Sequence, residues 1–411
     1  MIVQFKCANH RSIKDEVKFS LVASSDDSLE ENLIGNKYLR CAEIYGANGS
    51  GKTSLLNAIQ LMAFVVVSSN TYQLGDLLPR HPHKLSEASA ATSFSIIFIK
   101  NSTKYSYGFS YTEKEIIDEY LYFWPGRKKT LLFERSSNSE FEFGSGYVKK
   151  GANCKGRLKD NKLLLSCAAN ETDIDEVAQA FLFFKEDLVI YRGGNNWFEY
   201  SVTQLRDNSG MKKSFIDFMR SIGTGLLDVE PKIEERHLSS KEIETLTSQG
   251  LAIPAGTPAF RKIIDLKLDY GNFFIDINEE SAGIKELFKF LCPLIDILQS
   301  GKVFVCDEIE NHFHPSIVAE IVKRFCSNAK SNSQMILTTH DTDLLNLDFI
   351  RRDQIWFTEL KPESRSTDLY SLSELKNVRK TENIKKGYIS GRYGAIPMLT
   401  NSLAEVSDAQ N

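Results

Sequence analysis

The chain has 411 residues, with 50 lysines and arginines against 54 aspartates and glutamates, for a formal net charge of −4. Hydrophobic residues make up 42% and charged residues 25% of the sequence, as in an ordinary folded protein. This balance excludes a polybasic protein that coats nucleic acid by bulk charge, although a local basic groove stays open. The length predicts two or three structural units whose cores need no disulfide support.

Neither a secretory leader nor a membrane-spanning stretch is visible in the sequence. The longest uninterrupted apolar run covers only residues 61–67, whereas a spanning helix needs about 20 residues. The seven cysteines are widely spaced, form no C-x-x-C pair and in several cases lie inside apolar runs. We therefore expect buried thiols in a cytoplasmic protein with no membrane partner, and neither a disulfide framework nor a zinc site.

The N-terminal part predicts strands followed by one helix. Residues 1–24 contain two stretches that alternate apolar and polar side chains at the strand period of two. A short apolar strand over 41–45 leads through a glycine-rich turn into a helix over 52–67. Residues 70–92 hold two prolines and little periodicity, so we expect a connecting loop.

The middle of the chain changes character twice. From residue 93 to about 143, aromatic and β-branched stretches separated by polar turns predict an antiparallel β-subdomain at about 93–145. Residues 146–270 are mixed, with helical spacing around 173–186 and 212–222. We predict a largely helical insertion there.

From residue 271 onward, predicted strands and helices alternate. The predicted elements are a strand over 273–277, a helix over 284–298, a buried strand over 303–306, a helix over 316–326 and a buried strand over 334–339. Continuous apolar strands alternating with helices are typical of a parallel sheet covered on both faces. We therefore predict an α/β head with a mixed, largely parallel sheet, assembled from residues 1–145 and 271–411.

A phosphate-loop motif follows the strand over 41–45. Residues 46–53, G-A-N-G-S-G-K-T, match the pattern G-x-x-x-x-G-K-[ST] in full. Its glycines allow successive backbone N–H groups to point at an anion, and the start of the next helix adds its positive dipole end. Lys52 can reach the β- and γ-phosphates, and the Thr53 hydroxyl can bind Mg²⁺. The predicted ATP-binding residues are Gly46, Ala47, Asn48, Gly49, Ser50, Gly51, Lys52, Thr53 and Ser54.

Two carboxylates end the strand over 303–306, at the sheet edge where open α/β folds bind ligands. We predict that Asp307 holds Mg²⁺ together with Thr53, and that Glu308 polarises a water for attack on the γ-phosphate. The strand over 334–339 leads to His340, which can contact the γ-phosphate and sense its loss. A lone histidine is more often structural, but its place after the other two motifs favours the functional interpretation.

The order of these motifs resembles the ABC-type ATPases, which include the SMC, Rad50 and RecF proteins. The resemblance implies a loop that completes the ATP site of a second subunit, and Glu280-Ser281-Ala282-Gly283-Ile284 is similar to that loop. It implies that Ser281 and Gly283 contact ATP held by the partner, with ATP and Mg²⁺ clamped in a homodimer or higher homo-oligomer. An ordinary helix cap is the alternative for Ser281.

A narrower resemblance covers most of the chain. Segments 5–12, 307–315, 351–357 and 387–397 are similar to the AAA15-type, AbiLi- and RloA-like ATPases of bacterial anti-phage and abortive-infection systems. The resemblance implies a sensor or regulatory subunit that controls an effector encoded nearby, often a TOPRIM-like or other nuclease. The wider resemblance to Rad50-like proteins implies that residues 9–12 lie near the adenine. Gln73 is a weak candidate for the Q-loop glutamine of the wider family.

Two other functions stay open at this point. A RecF- or Rad50-like repair ATPase would bind DNA, and the basic segment 376–386 can contact nucleic acid, although a solvated helix face is commoner. A non-hydrolysing scaffold would use ATP only to join subunits, which Glu308 argues against. The alternate spacing of His312 and His314 is compatible with a metal but more typical of a turn.

Overall fold

The computed structural model describes residues 1–136, 140–154, 157–191, 197–239, 241–243, 260–311, 313–376, 378–379 and 381–397. Numbered in chain order, the strands are β1 (Ile2–Ala8), β2 (Val17–Ser20), β3 (Leu33–Ile34), β4 (Tyr38–Leu39), β5 (Cys41–Tyr45), β6 (Thr92–Lys100), β7 (Thr103–Tyr111), β8 (Ile116–Trp124), β9 (Thr130–Arg135), β10 (Phe141–Phe143), β11 (Leu188–Tyr191), β12 (Asp228–His237), β13 (Phe260–Asp269), β14 (Phe274–Asp276), β15 (Val303–Cys306), β16 (Gln334–Thr338), β17 (Ile355–Leu360) and β18 (Thr367–Ser371). The helices are α1 (Lys52–Ser68), α2 (Val148–Gly151), α3 (Leu164–Glu171), α4 (Asp175–Leu182), α5 (Phe198–Asp207), α6 (Ser209–Ser221), α7 (Ala282–Ser300), α8 (Pro315–Cys326) and α9 (Ile384–Ile389).

Internal contacts divide the chain into two compact units. The first contains Met1–Arg192 and Ser300–Asn411, and the second contains Gly193–Gln299. These limits differ from the predicted boundaries at 145 and 270, because α2, α3, α4 and β11 pack within the first unit. The second unit is not purely helical, since its described residues also form the antiparallel sheet β12-β13-β14 beside α5, α6 and α7.

A six-stranded sheet in the first unit has the order β11-β15-β16-β5-β17-β18. Its first five strands run parallel, and only β18 pairs antiparallel, with β17. β5, β15 and β16 are buried at every position, which explains their mostly apolar sequences. The carboxyl ends of β5, β15 and β16 therefore meet along one edge, and the predicted largely parallel α/β fold is confirmed.

The second sheet of this unit has seven strands in the order β10-β9-β8-β7-β6-β1-β2, and every pair is antiparallel. It includes the predicted β-subdomain but also β1 and β2, which lie far away in sequence. Alternating burial along β6 puts Phe94, Ile96 and Phe98 on one buried face. Phe98 stacks there on Phe183 at a ring-centroid distance of 4.2 Å.

Helix α1 shares one hydrophobic core with strands of both sheets of the first unit. By length and composition alone, the helical stretch Lys52–Thr71 is apolar enough to cross a bilayer, with a mean hydropathy of 1.3. However, 61% of its most apolar window is buried inside the protein. Burial of this kind is typical of a core helix, and it accounts for the apolar sequence without a membrane.

Two polar clamps hold distant segments of the first unit together. The Gln334 side chain accepts from the N–H of Ile2 at 2.6 Å and donates to the carbonyls of Ile2 and Leu39 at 3.0 and 2.9 Å. The fully buried Arg351 guanidinium donates to Asp353 twice, at 2.9 and 2.8 Å, and to the carbonyl of Asp26 at 2.8 Å. Segment 351–357, one of the segments similar to the AbiLi- and RloA-like ATPases, therefore holds distant parts of the first unit together through Arg351 and also contains the start of β17.

Candidate nucleotide site

The phosphate loop joins β5 to α1 at the carboxyl edge of the parallel sheet. α1 begins at Lys52, directly after Gly51, whose φ of +113° suits glycine. A Cβ on Gly51 would collide with the side chain of Thr367, and a Cβ on Gly46 would collide with that of Thr358. The two glycines are therefore required by the close approach of β17 and β18 to the loop.

The Lys52 ammonium is folded back onto this loop. Its Nζ donates to the carbonyl oxygens of Gly46 at 2.7 Å and Ala47 at 3.2 Å. Burial lowers the pKa of Lys52, and the nearby carboxylates of Glu308 and Asp307 oppose that shift. A half-desolvated cation held by carbonyl groups gains from an anionic partner. The loop is thus prepared to receive phosphate oxygens.

Asp307 lies directly after β15, at the same sheet edge as the phosphate loop. Its Oδ1 accepts from Thr53 Oγ1 at 3.4 Å and from Thr338 Oγ1 at 2.5 Å. The structure therefore brings together Thr53 and Asp307, the two predicted Mg²⁺ ligands, although 254 positions separate them. Mg²⁺ prefers oxygen ligands and usually takes only one or two protein groups beside phosphates and waters. The pair fits that requirement.

No group of three or more His, Cys, Asp or Glu side chains suited to a metal occurs among the described residues. A metal held by Thr53 and Asp307 would therefore need further ligands that the described His, Cys, Asp and Glu side chains do not supply. Nucleotide phosphates supply such ligands, so the donor set at Thr53 and Asp307 is that of a metal that binds together with a nucleotide.

Glu308 adopts a left-handed backbone with φ of +49°, which is uncommon for a residue with a side chain. Its N–H donates to Thr338 Oγ1 at 2.8 Å, and its Oε2 accepts from Asn311 Nδ2 at 2.7 Å. Since Thr338 also donates to Asp307, one hydroxyl at the end of β16 fixes both carboxylate residues. The sequence interpretation missed Thr338 and Asn311, whose only signal was their position beside predicted site residues.

His340 lies at the predicted end of the strand that contains β16. Its N–H donates to Glu310 Oε1 at 2.5 Å, and its side chain is exposed. The backbone of His340 is therefore held in place while its ring is accessible to a ligand. Glu310 was also missed by sequence reasoning. The role of His340 as a γ-phosphate sensor stays a prediction.

The turn over residues 9–12 packs against the first turns of α1. Ser12 Oγ donates to Ser54 Oγ at 2.8 Å, and His10 Nε2 lies 3.0 Å from Asn57 Oδ1. The turn thus lies beside the start of α1, which follows the phosphate loop. Its proximity to an adenine is a prediction that these contacts leave open.

The predicted partner-contacting residues, Ser281 and Gly283, belong to the second unit. Ser281 Oγ accepts from the N–H of Ile284 at 3.4 Å, which is the contact of a helix cap. Among the described residues, and apart from the backbone of its own helix and its chain neighbours, nothing lies within 4 Å of a Cβ built on Gly283, so the backbone there is open to approach. Contact of these residues with ATP in a second subunit stays a prediction.

The remaining candidates have ordinary surroundings. Gln73 is exposed, and its Nε2 donates to the carbonyl of Thr71 at 3.2 Å. His312 lies outside the described residues, and His314 Nδ1 accepts from the N–H of Ser316 at 3.3 Å as the cap of α8. All seven cysteines are buried and unbridged, as predicted.

The chain matches the protein family described as "AAA domain, putative AbiEii toxin, Type IV TA system" over residues 42–150 and 204–348. It belongs to this family. The match includes the phosphate loop, the Asp307–Glu308 pair and His340, and it confirms the predicted relationship to ABC- and SMC-like ATPases. The narrower AbiLi- and RloA-like assignment stays a prediction.

No curated protein sequence matches the chain. Three solved structures of SMC head domains are similar to it over 90% of its length. They are an SMC head bound to the C-winged helix domain of ScpA (14% identity, 97% of that chain, TM-score 0.45), the SMC head domain from Thermotoga maritima (12%, 98%, 0.42), and an SMC head with an extended coiled coil bound to the C-terminal domain of ScpA derived from Pyrococcus furiosus (12%, 96%, 0.42).

Proposed function

We propose that this protein binds ATP with Mg²⁺ at the phosphate loop and hydrolyses it. The observation that carries the proposal is the meeting of Lys52, Thr53, Asp307 and Glu308 at the carboxyl edge of one parallel sheet. Each of these side chains is of the type that phosphoryl transfer requires, and the family match is to ATPase domains.

Each side chain has a distinct role in this proposal. Lys52 leaves the loop carbonyls and binds the β- and γ-phosphates, while Thr53 and Asp307 would hold the Mg²⁺. When bound, the ion neutralises charge on the phosphates. Glu308, fixed by Asn311 and Thr338, orients a water and accepts its proton as the water attacks the γ-phosphate.

Two features of the protein support positioning as the main catalytic contribution. The carboxylate of Glu308 is held by Asn311 at 2.7 Å, and its backbone is held by Thr338 at 2.8 Å. A carboxylate that is fixed before the water arrives needs little reorganisation in the transition state. His340 would then contact the γ-phosphate and report its departure to the loop that follows it.

The proposal includes a second copy of the chain. Ser281 and Gly283 would reach ATP held by the partner, so that two ATP molecules are enclosed by a homodimer. The open backbone at Gly283 and the early position of both residues at the start of α7 support this assignment. ATP binding would close the dimer, and hydrolysis would release it.

We place this ATPase in bacterial defence, as the sensor or regulatory subunit of an effector encoded nearby. The family description names a toxin of a type IV toxin–antitoxin system, which supports a function that is connected with toxicity. A cytoplasmic location and a nuclease partner are parts of the same proposal. Co-purification with the product of the neighbouring gene would test the partner directly.

The ATPase assignment is tested with Lys52→Ala in the full chain. We expect loss of Mg²⁺-dependent phosphate release, because the variant lacks the cation that binds the phosphates. Lys18→Ala, on the exposed side of β2, is the matched control and should retain wild-type activity. Full activity of Lys52→Ala would overturn the assignment of the site.

The shared site is tested by mixing two inactive variants, Lys52→Ala and Ser281→Arg. A mixed dimer contains one pocket with an intact phosphate loop and an intact partner loop, so activity should return to at most about a quarter of the wild-type value. Mixtures that stay inactive would contradict the shared pocket while leaving the phosphate-loop assignment intact.

A further inference from the structure

A threonine on β18 contacts the phosphate loop from a distant part of the chain. Thr367, the first residue of β18, is 6% exposed, and its Oγ1 donates to the carbonyl oxygen of Ser50 at 2.8 Å. A side chain at Gly51 would collide with Thr367, so the glycine allows the strand to come this close. The ATP chemistry proposed above makes no use of Thr367, which therefore has a position at the site but no assigned role.

Thr367 also binds the turn over residues 9–12. Its backbone N–H donates to the carbonyl oxygen of Ser12 at 2.7 Å, and its Oγ1 lies 2.7 Å from Ser12 Oγ. Ser12 Oγ in turn lies 2.8 Å from Ser54 Oγ, in the first turn of α1. Thr367 thus contacts the phosphate loop directly and is connected to the start of α1 through one serine.

The direction of these hydrogen bonds follows from the number of protons. Each hydroxyl has one proton to donate, whereas a carbonyl oxygen can only accept. Since Thr367 gives its proton to the Ser50 carbonyl, Ser12 is the donor in its contact with Thr367. By the same count, Ser54 is the donor in its contact with Ser12. The hydroxyls of Ser54, Ser12 and Thr367 therefore form one directed chain that ends at the phosphate loop, and hydrogen bonds in such a chain strengthen one another.

Strand β17 holds the same loop residue by its side chain. Ser50 Oγ lies 2.6 Å from Thr358 Oγ1, which itself donates to the carbonyl oxygen of Tyr45 at 3.3 Å. Ser50 is only 2% exposed, so water cannot easily replace these contacts. Ser50 is consequently held through its side chain by β17 and through its carbonyl by β18.

These contacts differ from the one that Lys52 makes with the loop. The Lys52 ammonium donates to two carbonyl oxygens of the loop and must leave them to reach a triphosphate. The buried hydroxyls of Thr358 and Thr367 have their partners at Ser50, and nothing in the proposed ATP chemistry requires them to change. After ATP enters, these hydroxyls would keep Ser50 in place.

We propose that Thr367 is a positioning residue that holds the phosphate loop in its nucleotide-binding conformation and fixes the turn over residues 9–12 relative to it. The inference rests on the proposed ATP site and adds a residue of β18 to it. In this role Thr367 acts through Ser50 and Ser12, and not by contact with the phosphates or the attacking water.

The expected consequence of losing the Thr367 hydroxyl is a weaker apparent affinity for ATP. When only a fraction of the molecules has the competent loop, the apparent Kd rises in inverse proportion to that fraction. Leaving the Ser50 carbonyl without its donor is enough to lower such a fraction about five- to tenfold. The chemical step should change less, because Glu308 is held by Thr338 and Asn311.

The experiment is titration of the full chain with a fluorescent ATP analogue and Mg²⁺. Thr367→Val keeps the shape of the side chain without its hydroxyl, and we expect about five- to tenfold weaker binding, with kcat reduced much less than kcat/KM. Thr367→Ser keeps the hydroxyl and should restore most of the affinity. Thr172→Val is the matched control, since it removes a hydroxyl that donates to the carbonyl of Ala168 at 2.7 Å, just after α3. It should bind the analogue as tightly as wild type.

A double-mutant cycle tests the chain of hydroxyls. Ser12→Ala removes the middle member of the chain, so the effects of Ser12→Ala and Thr367→Val on affinity should not add. The double variant should bind about as well as Thr367→Val alone. Additive effects would overturn the joint positioning of the turn and the loop.

Hydrogen exchange of the peptide covering residues 46–55 separates positioning from a general loss of stability. Exchange should be faster in Thr367→Val and in Ser12→Ala, and unchanged in Thr172→Val. Wild-type affinity and exchange in Thr367→Val, with binding lost in Lys52→Ala, would overturn the role of Thr367 and leave the ATP site intact. Wild-type affinity in Lys52→Ala would instead overturn the ATP site.

Discussion

Each large sheet of the first unit contains one buried glutamate, and the two carboxylates differ in the hydrogen bonds that they accept. Glu119, on β8 of the antiparallel sheet, accepts from the Tyr107 hydroxyl at 2.9 Å and from the N–H groups of Leu164 and Leu165 at 2.6 and 2.8 Å. Glu43, on β5 of the parallel sheet, accepts from the Tyr45 hydroxyl at 2.9 Å. Its other oxygen, Oε1, has no hydrogen-bond partner within the described chain.

This difference indicates that the region of the antiparallel sheet around Glu119 is structural, whereas the region of the parallel sheet around Glu43 is suited to chemistry. The hydrogen bonds that Glu119 accepts join β8 to α3. A buried polar group whose hydrogen bonds are all made favours a single packing arrangement. Near Glu43, the buried oxygens Glu310 Oε2 and Asp341 Oδ2 likewise lack partners in the described ranges. Unsatisfied carboxylates cost stability, and they are typical of functional edges. The comparison predicts that substitutions will separate stability from activity according to the sheet they affect.

The largest effect is expected for Phe98→Ala in the antiparallel sheet. Phe98 is fully buried and stacks on Phe183, so its removal should lower the free energy of unfolding by about 3–5 kcal/mol. Urea unfolding measures this, with the 53%-exposed Phe64 changed to alanine as a control of little effect. The remaining folded protein should bind ATP normally. A simultaneous loss of ATP affinity would contradict the separation of stability, in the antiparallel sheet, from activity, in the parallel sheet.

Glu308→Gln should give the converse result at the parallel edge. We expect turnover to fall by about a hundredfold or more, because the amide cannot accept the proton of the attacking water. Thermal unfolding and ATP binding should stay close to wild type. Glu320→Gln, an exposed residue on α8, is the matched control. Unchanged turnover in Glu308→Gln, with assembly still driven by ATP, would favour the scaffold alternative.

Thr338→Val sharpens the comparison, because it removes a hydroxyl that has both structural and functional partners. The N–H of Glu308 loses its acceptor and the carboxylate of Asp307 loses a donor. We expect turnover to fall about tenfold and the free energy of unfolding to fall by about 1–2 kcal/mol. Thr339→Val, at the next buried threonine, should cost similar stability with less effect on turnover. Equal turnover in both variants would contradict the bridging role.

The last prediction concerns a dependence of stability on pH that comes from the proton on Glu43. Burial raises the pKa of Glu43 from 4.5 to about 8, partly opposed by the Tyr45 hydrogen bond. The folded protein thus keeps a proton that the unfolded chain releases, so this contribution to stability is lost as pH rises from about 4.5 to about 8. Glu43→Gln should lack this decline, which amounts to about 1 kcal/mol per pH unit.

Urea unfolding at several pH values measures that difference between wild type and Glu43→Gln. The exposed Glu142→Gln serves as the control, and it should follow the wild-type pH dependence. A constant difference between wild type and Glu43→Gln across this range would contradict the buried proton.

The sequence predicted those parts of the fold whose signals are local. The phosphate loop, the strand over 41–45 and the aromatic strands of the β-subdomain were located because composition and periodicity act within a few residues. The predicted helix over 284–298 was observed as Ala282–Ser300, with similar small shifts elsewhere. The antiparallel pair of β12 and β13 was missed, since β12 is mostly charged and the alternation of Ile264, Leu266 and Leu268 in β13 is short.

The rest required contacts between distant residues. That β1 and β2 join the same sheet as β6 follows from pairing across a long loop, which no local pattern specifies. Thr338 and Asn311 were overlooked for the same reason, because a hydroxyl or amide has no recognisable role until its partner is known. The sequence therefore identified residues that carry chemistry by type, and it missed those that hold them in place.

The position of β5 in its sheet has a consequence for biosynthesis. β5 is hydrogen-bonded to β16 on one side and β17 on the other, and both of these strands come much later in the chain than β5. While a ribosome is still translating, the strand that leads into the phosphate loop has no neighbour to pair with. Late pairing of this kind makes folding slow and exposes the nascent chain. A product that ends before β16 would lack both strands that pair with β5, and with them the sheet edge that positions the phosphate loop.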